Sequence, residues 1–382
     1  MAVFNQGANI YRMTTILKNI KFTLTPYQLH FRFEAGTSRG VLKEKTTYFL
    51  KASENDFPEI VGWGEAAPLP KLSIDDIPDF ETRMSDFCIH LSGIDLIKTE
   101  EEILNWVSTA IPDRFPSIRF AFETALLDLM RGGKKRVFEN PFFEKNVPIP
   151  INGLIWMGKR DFMLEQIDKK LEEGYTCIKM KIGAIDFDQE CALLDYIRTR
   201  YSSDEIVLRV DANGAFDPVS ALDKLKRLST YDLHSIEQPI KPGQIRNMAE
   251  LCQSSPLAIA LDEELIGVNG IEEKRNLLEA IHPQYIILKP TLLGGISSSR
   301  EWIELAEAMK IGWWMTSALE SNIGLNAIAQ FTSTYTVTMP QGLGTGQLYY
   351  DNIDSPLTIE NGHIFYDKEI GWGDFSKEFQ SL

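Results

Sequence analysis

From Val147 onward the sequence alternates between short strand-like and longer helix-like segments. The helical segments carry apolar residues three and four positions apart, as at Leu164, Ile167 and Leu171. Repeating units of roughly 25 to 30 residues predict a parallel sheet, and seven or eight units favour a closed barrel over a doubly wound sheet. The predicted strands are VPIPINGL, CIKMKIG, IVLRVDANG, LHSIEQPI, LAIALDEEL, YIILKP and GWWMTSAL, with a candidate eighth near Gln341–Gly346.

The first third of the chain has a different pattern. Lys18–Leu50 contains three runs of alternating apolar and polar residues, which predict an antiparallel meander. Between the second and third runs, Glu34–Lys45 predicts a polar loop that covers a site or, alternatively, a solvated hairpin tip. Gly62–Ser73 contains two prolines and predicts a rigid irregular segment. Helices are predicted at Ile77–Ile94, Glu100–Ile111 and Ser117–Met130. The last of these is apolar nearly all round, so we expect it between layers.

Composition restricts the class of protein. The chain has 382 residues, 44% of them hydrophobic, which is enough for one large domain and a smaller one. A net charge of −15 argues against a nucleic-acid partner, and no apolar run reaches the length of a membrane helix. The four cysteines lack paired or zinc-type spacing, and the first residues do not resemble a leader, so we expect a cytoplasmic protein with free thiols. Met1 and Met13 are both candidate start residues.

Ionisable side chains stand at the carboxyl ends of consecutive predicted strands. They are Lys179, Lys181, Asp211, Glu237, Asp262 and Lys289. A lysine pair of this spacing is common on exposed strands, and each acid alone could belong to a turn, a strand end or a helix cap. In a parallel barrel, however, the carboxyl ends of the strands surround one mouth, where catalytic side chains lie. The sequence therefore predicts one site that contains all of them.

The acids predict a metal site. Asp211, Glu237 and Asp262 offer hard oxygen ligands from three neighbouring strands, a set that suits Mg²⁺, with Mn²⁺ as a substitute. Three converging carboxylates without a cation would repel one another.

The lysine pair predicts a general base. Repulsion between the ammonium groups of Lys179 and Lys181 favours the neutral form of one of them. A neutral lysine beside a metal that holds a substrate carboxylate can remove the proton alpha to that carboxylate.

This arrangement of strand-end residues resembles the enolase superfamily, in its muconate-lactonizing-enzyme-like subgroup. The resemblance covers nearly the whole chain and implies a modified TIM barrel, (β/α)₇β, with an α+β capping domain. It implies a capping domain at residues 1–135 with a mobile active-site loop, the barrel at 136–345, and a segment at 346–382 that returns to the cap. The mandelate-racemase-like branch would need a His/Asp pair on later strands, where this chain has Lys289.

Within the subgroup, four stretches are similar to the o-succinylbenzoate synthase family. They are GWGEAAPLPKLS, LRVDANG, ILKPTLLGG and TSALESNIG. The resemblance implies dehydration of 2-succinyl-6-hydroxy-2,4-cyclohexadiene-1-carboxylate in menaquinone biosynthesis. Lys181 would be the general base and acid, Lys289 would stabilise the anionic ring, and Lys179 would contact the metal-bound carboxylate. Weaker substrate-binding candidates are Arg209, Asn213, Gly294, Gly295, Ser317 and Ser321, for which ordinary loop chemistry is the alternative.

Two other functions fit parts of this pattern. An N-succinylamino acid racemase or dipeptide epimerase of the same superfamily would use Lys181 and Lys289 on opposite faces of one carbon. Dipeptide epimerases carry an Asp-x-Asp near the last strand, where this chain has Gly344–Gly346, which counts against dipeptides. The other alternative is a binding scaffold without catalysis. The presence of every site residue in the chain counts against it. The expected partner is a small anionic carboxylate, and the pattern is compatible with a homo-oligomer.

Overall fold

The computed structural model describes residues 15–37 and 40–373, so both candidate start residues lie outside it. Its N-terminal part is a four-stranded antiparallel sheet in the order β3-β2-β1-β4. The strands are β1 (Ile16–Thr37), β2 (Gly40–Glu54), β3 (Phe57–Ala66) and β4 (Ile94–Ile97). Helices α1 (Phe80–Leu91), α2 (Glu100–Ala110), α3 (Pro116–Met130) and α4 (Pro141–Lys145) follow β3 along the chain. As predicted, α3 is buried on nearly all sides.

The strands of this sheet are longer than the sequence predicts. The first two predicted runs form the single strand β1, and most of the predicted loop Glu34–Lys45 pairs as the end of β1 with the start of β2. The backbone hydrogen bonds between the end of β1 and the start of β2 do not depend on the polarity of the side chains, so a polar stretch can pair as strands. Glu34 and Lys43 also form an ion pair across these strands at 2.8 Å. Ser38 and Arg39, also in the predicted loop, lie outside the described residues.

The expected irregular segment Gly62–Ser73 begins instead inside β3. Its glycines bring the strand close to α3. A Cβ atom at Gly62 would lie 2.0 Å from the carbonyl oxygen of Ala125, and one at Gly64 would lie 2.0 Å from that of Ala121. These glycines therefore provide close packing between strand and helix rather than a turn.

The segment from β6 to β12 forms the predicted parallel barrel. Seven strands pair in the order β12-β11-β10-β9-β8-β7-β6. They are β6 (Gly153–Ile155), β7 (Cys177–Lys181), β8 (Val207–Asp211), β9 (Ser235–Glu237), β10 (Ile259–Leu261), β11 (Tyr285–Leu288) and β12 (Gly312–Met315). The predicted eighth strand is reduced to two parallel bridges, Ile151↔Gln341 and Thr316↔Gly342, which connect the two edges of the sheet.

Helices follow the barrel strands along the chain. They are α5 (Arg160–Glu172), α6 (Phe187–Arg198), α7 (Pro218–Leu228), α8 (Ile245–Ser254), α9 (Ile271–Ile281), α10 (Pro290–Leu293), α11 (Gly295–Ala308) and α12 (Asn322–Thr332). A small antiparallel sheet combines β5 (Ile149–Pro150) with β13 (Leu357–Glu360) and β14 (His363–Tyr366). No helix in the described ranges has both the length and the apolar character to cross a membrane.

Backbone hydrogen bonds attach the chain after the barrel to β1. The backbone N–H of Arg32 donates to the carbonyl of Leu348 at 2.8 Å, and that of Tyr350 donates to the carbonyl of His30 at 2.9 Å. Residues 348–350 therefore lie against the strand that leads into the hairpin tip.

A buried carboxylate joins α3 to the barrel. Glu123 accepts hydrogen bonds from the backbone N–H groups of Ile296, at 2.5 Å, and Ser297, at 3.2 Å, in the first turn of α11. It therefore caps a helix to which it is not connected in sequence. Burial raises the pKa of Glu123 from 4.5 to about 8, against the opposing effect of these N–H groups.

We expect Glu123→Gln to weaken the decline in stability with rising pH. The folded-state pKa exceeds the unfolded-state value of 4.5, so between pH 4.5 and about 8 the unfolded chain loses this proton more readily. Titration of the Glu123 carboxyl alone therefore lowers the free energy of unfolding by up to about 1.4 kcal/mol per pH unit as the pH rises. Urea unfolding at pH 5 and pH 8 measures the effect, with Glu101→Gln on the exposed surface of α2 as control. Equal pH dependence in both variants would contradict it.

Candidate active site

The predicted lysines and acids lie in or directly after the barrel strands β7 to β11. In the strand ladder Lys181 pairs with Asp211, and Asp211 pairs with Glu237. Ile178 and Met180, which alternate with Lys179 and Lys181 along β7, are fully buried. Because side chains alternate along a strand, this apolar face directs Lys179 and Lys181 to the opposite side, toward the barrel interior.

Lys179 is the buried centre of this group. Its Nζ lies 3.0 Å from Asp211 Oδ2 and also forms an ion pair with Glu237. Burial lowers the pKa of Lys179, but these two carboxylates raise it by more, so the pKa lies above that of a free lysine. Lys179 is therefore a fixed positive charge between the acids of β8 and β9.

A second ion pair lies farther along the sheet. Asp262 follows β10, Lys289 follows β11, and their side chains are in contact. Burial lowers the pKa of Lys289, but Asp262 and Glu237 raise it by more. Burial also raises the pKa of Asp262, but Lys289, a hydrogen bond with Glu237 and Lys179 together lower it by more. Each member of the pair therefore stabilises the charged form of the other.

Lys181 differs from Lys179 in its surroundings. Its Nζ donates hydrogen bonds to Asp211 Oδ2 at 3.0 Å and to Asn213 Oδ1 at 2.8 Å, and its side chain is 12% exposed. Asn213 adopts a left-handed φ of 43° and in turn donates to Glu263 Oε1 at 2.9 Å. Lys181 is thus held from one side and open to the cavity on the other.

The three acids fit a hard divalent cation by their chemistry. Burial and the neighbouring Asp211 raise the pKa of Glu237 well above its usual range, as expected for crowded carboxylates. Glu237 Oε1 is buried and has no hydrogen-bond partner among the described residues. The acids contact Lys179 and Lys289, and no described group of three acids, histidines or cysteines has the spacing of a bound metal ion. The oxygen donors and the unpartnered Glu237 oxygen nevertheless suit a cation such as Mg²⁺.

A cavity of about 480 Å³ lies above these residues. Polar lining groups include Lys179, Lys181, Asp211, Asn213, Lys289, Ser317 and Thr345. The apolar lining includes Phe33, Leu69, Leu72, Leu154, Trp156, Leu319 and Leu348, most of which belong to one hydrophobic cluster. The cavity therefore offers ion-binding groups at its base and an apolar wall contributed by β1, the barrel and the chain that follows it.

The remaining predicted contacts are not all at the cavity. Ser317 lines it, and its Oγ donates to Glu320 at 2.5 Å and accepts from Thr345 Oγ1 at 2.8 Å. Ser321 caps α12 and donates to Glu65 Oε2 at 2.6 Å. Arg209 is buried, donates to the carbonyl of Pro340 at 2.7 Å and lies over Trp314. Neither Ser321 nor Arg209 lines the cavity.

Gly294 and Gly295 are also absent from the cavity lining; Gly294 precedes α11 and Gly295 is its first residue. Both have positive φ, 98° and 88°. A Cβ atom at Gly295 would lie 2.1 Å from Glu123 Oε2. This geometry assigns Gly295 a packing role in the contact between α3 and α11.

Lys45 is 2% exposed and was not among the predicted site residues. Its Nζ donates to the carbonyl oxygens of Leu319, at 2.8 Å, and Ala318, at 3.4 Å, which belong to the cavity-lining turn after β12. Leu319 has a left-handed φ of 65°, so this bond supports a strained turn. The alternation of buried Lys45, Thr47 and Phe49 along β2 was the available signal.

The chain matches known proteins over most of its length. Residues 163–375 match the family model described as enolase C-terminal domain-like. The o-succinylbenzoate synthase of Desulfotalea psychrophila is 50% identical over 355 residues, covering 87% of this chain and 95% of that protein. The crystal structure of MenC from Desulfotalea psychrophila has a TM-score of 0.79 at 44% identity and covers 91% of this chain and 99% of that one. An N-succinylamino acid racemase of Amycolatopsis is 26% identical over 86% of this chain and 87% of its own length.

Proposed function

The chain belongs to the enolase superfamily, and from that membership we propose that it is an o-succinylbenzoate synthase, a hydro-lyase that dehydrates 2-succinyl-6-hydroxy-2,4-cyclohexadiene-1-carboxylate. The observation that carries the proposal is the arrangement of Lys181, Lys289 and Asp211 at one cavity, with Glu237 and Asp262 in ion pairs with the cavity lysines Lys179 and Lys289. The likeness to the synthase of Desulfotalea psychrophila over most of both chains supports the choice of substrate.

Lys181 performs the proton transfers in this account. Its Nζ, held by Asp211 and Asn213, takes the proton alpha to the ring carboxylate, and the electron pair of that C–H bond enters the substrate as an enediolate. Collapse of the enediolate breaks the bond between the ring carbon and the hydroxyl group. Lys181 returns the same proton to the departing hydroxyl, so one water leaves and the ring becomes aromatic.

The other two lysines act by charge. Lys289 lies four strands from Lys181 in the sheet order and places its ammonium group toward the opposite face of the ring, where it stabilises the anion by electrostatic and cation–π attraction. Lys179 stays protonated between Asp211 and Glu237 and contacts the substrate carboxylate. Asp211, Glu237 and Asp262 would hold Mg²⁺, or Mn²⁺ in its place, which when bound supplies positive charge that stabilises the enediolate.

N-succinylamino acid racemization is the second candidate function. A racemase needs acid and base groups on both faces of one carbon, and Lys181 and Lys289 line the same cavity. The relative from Amycolatopsis carries that name. Values of kcat/KM for the cyclohexadiene carboxylate, N-succinylamino acids and dipeptides, measured on one Mg²⁺-loaded preparation, separate these functions. A synthase should have its highest kcat/KM on the cyclohexadiene carboxylate. A higher kcat/KM on an N-succinylamino acid would contradict the synthase proposal.

A further inference from the structure

The proposed chemistry uses three of the described cationic side chains that line the cavity and leaves three unused: Arg32, Lys169 and Lys170. The cations that line the cavity are Arg32, Lys169, Lys170, Lys179, Lys181 and Lys289. Arg32 comes from β1, whereas the lysines come from the barrel and its first helix. Arg32 precedes the hairpin tip and is exposed.

Arg32 differs from these lysines in its ion pairing. Lys169 and Lys170 lie 3.9 Å and 2.6 Å from the carboxylate of Glu173. The three strand-end lysines pair with the acids described above. Within residues 15–37 and 40–373, no carboxylate forms an ion pair with Arg32. Its guanidinium charge is therefore available to an anion in the cavity.

The Arg32 side chain is also held in place. Its Nε donates to the carbonyl of Tyr349 at 2.9 Å, and its guanidinium carbon lies 5.2 Å from the centre of the Tyr350 ring. Its own backbone N–H is bound to Leu348, as noted above. These contacts leave the terminal nitrogens without a hydrogen-bond acceptor in the described part of the chain, and a guanidinium presents such nitrogens in the geometry that a carboxylate accepts.

The surroundings of Arg32 define the ligand that fits. The next residue, Phe33, together with Leu348 and Trp156, gives the cavity an apolar wall. A ligand with one carboxylate at the strand-end lysines, an apolar spacer along this wall and a second carboxylate at Arg32 matches these features. We propose that Arg32 binds the second carboxylate of a dicarboxylate substrate and selects against monocarboxylates. For the synthase this group is the end of the succinyl chain, so the identity of the ligand rests on the proposed function.

Equilibrium binding to the Mg²⁺-loaded protein tests this role without requiring turnover. The two probes are o-succinylbenzoate and 2-butyrylbenzoate, in which a methyl group replaces the distal carboxylate. We expect the wild type to bind the diacid about tenfold more tightly, the range of an accessible charged hydrogen bond. Arg32→Met should remove this preference, Arg32→Lys should keep part of it, and Arg246→Met, an exposed arginine on α8, should keep all of it.

Two results would overturn the assignment: a wild type that binds both probes equally, or an Arg32→Met variant that retains the preference. Turnover of the cyclohexadiene carboxylate, followed in parallel, tests the synthase separately. A wild type that prefers the diacid but does not aromatise the substrate would support the role of Arg32 and overturn the synthase. Aromatisation without any preference for the diacid would overturn only the role of Arg32.

Discussion

Lys181→Ala is expected to lower kcat for the cyclohexadiene carboxylate on the order of 10⁴-fold, because the side chain acts as both general base and general acid. The variant should still fold and bind Mg²⁺, since Lys181 is partly exposed and the acids remain. Absorbance of the aromatic product gives the rate, and calorimetry gives the Mg²⁺ affinity. Lys226→Ala, an exposed lysine on α7, is the matched control and should retain wild-type activity.

A Lys181→Ala variant that keeps a tenth or more of wild-type activity would contradict the assigned base. A variant that loses activity together with Mg²⁺ affinity would show instead that Lys181 supports the acids. The two readouts therefore separate proton transfer from maintenance of the site.

Glu237→Gln is expected to weaken Mg²⁺ binding on the order of a hundredfold and to abolish measurable turnover without added excess metal. The substitution keeps the size of the side chain and removes one negative charge from the three acids. Glu237 is 2% exposed and contacts Lys179, so thermal unfolding must first establish that the variant is folded. Calorimetric titration with Mg²⁺ measures the affinity.

The control for this substitution is Glu250→Gln on α8, which also replaces a glutamate that pairs with a cation, here Arg246. It should leave Mg²⁺ affinity unchanged because the Arg246 pair is exposed. Equal Mg²⁺ affinity in folded Glu237→Gln and wild-type protein would exclude Glu237 as a ligand.

The barrel and the placement of the strand-end residues could be predicted because both depend on local periodicity. Side chains on a strand alternate, and the carboxyl ends of parallel strands share one edge, so the positions of Lys181, Asp211 and Glu237 follow once the strands are identified. Their pairing in the ladder confirms that placement. The chemical roles assigned to these residues remain predictions.

Contacts between segments distant in sequence could not be predicted in this way. Lys45 reaches carbonyl groups 273 and 274 residues farther along the chain, and Glu123 caps a helix 173 residues away. In the sequence Gly62 resembles a turn residue, whereas in the structure it packs closely against α3. The role of each of these residues depends on a partner that is distant in sequence, and the local pattern of apolar and polar residues does not identify that partner.

The proposed synthase activity is tested by incubating wild-type protein with freshly prepared 2-succinyl-6-hydroxy-2,4-cyclohexadiene-1-carboxylate, with Mg²⁺ in one sample and excess chelator in the other. We expect rapid formation of aromatic o-succinylbenzoate with Mg²⁺ and only the slow uncatalysed rate with chelator. Absence of catalysed aromatisation by a folded, Mg²⁺-binding wild type would contradict it.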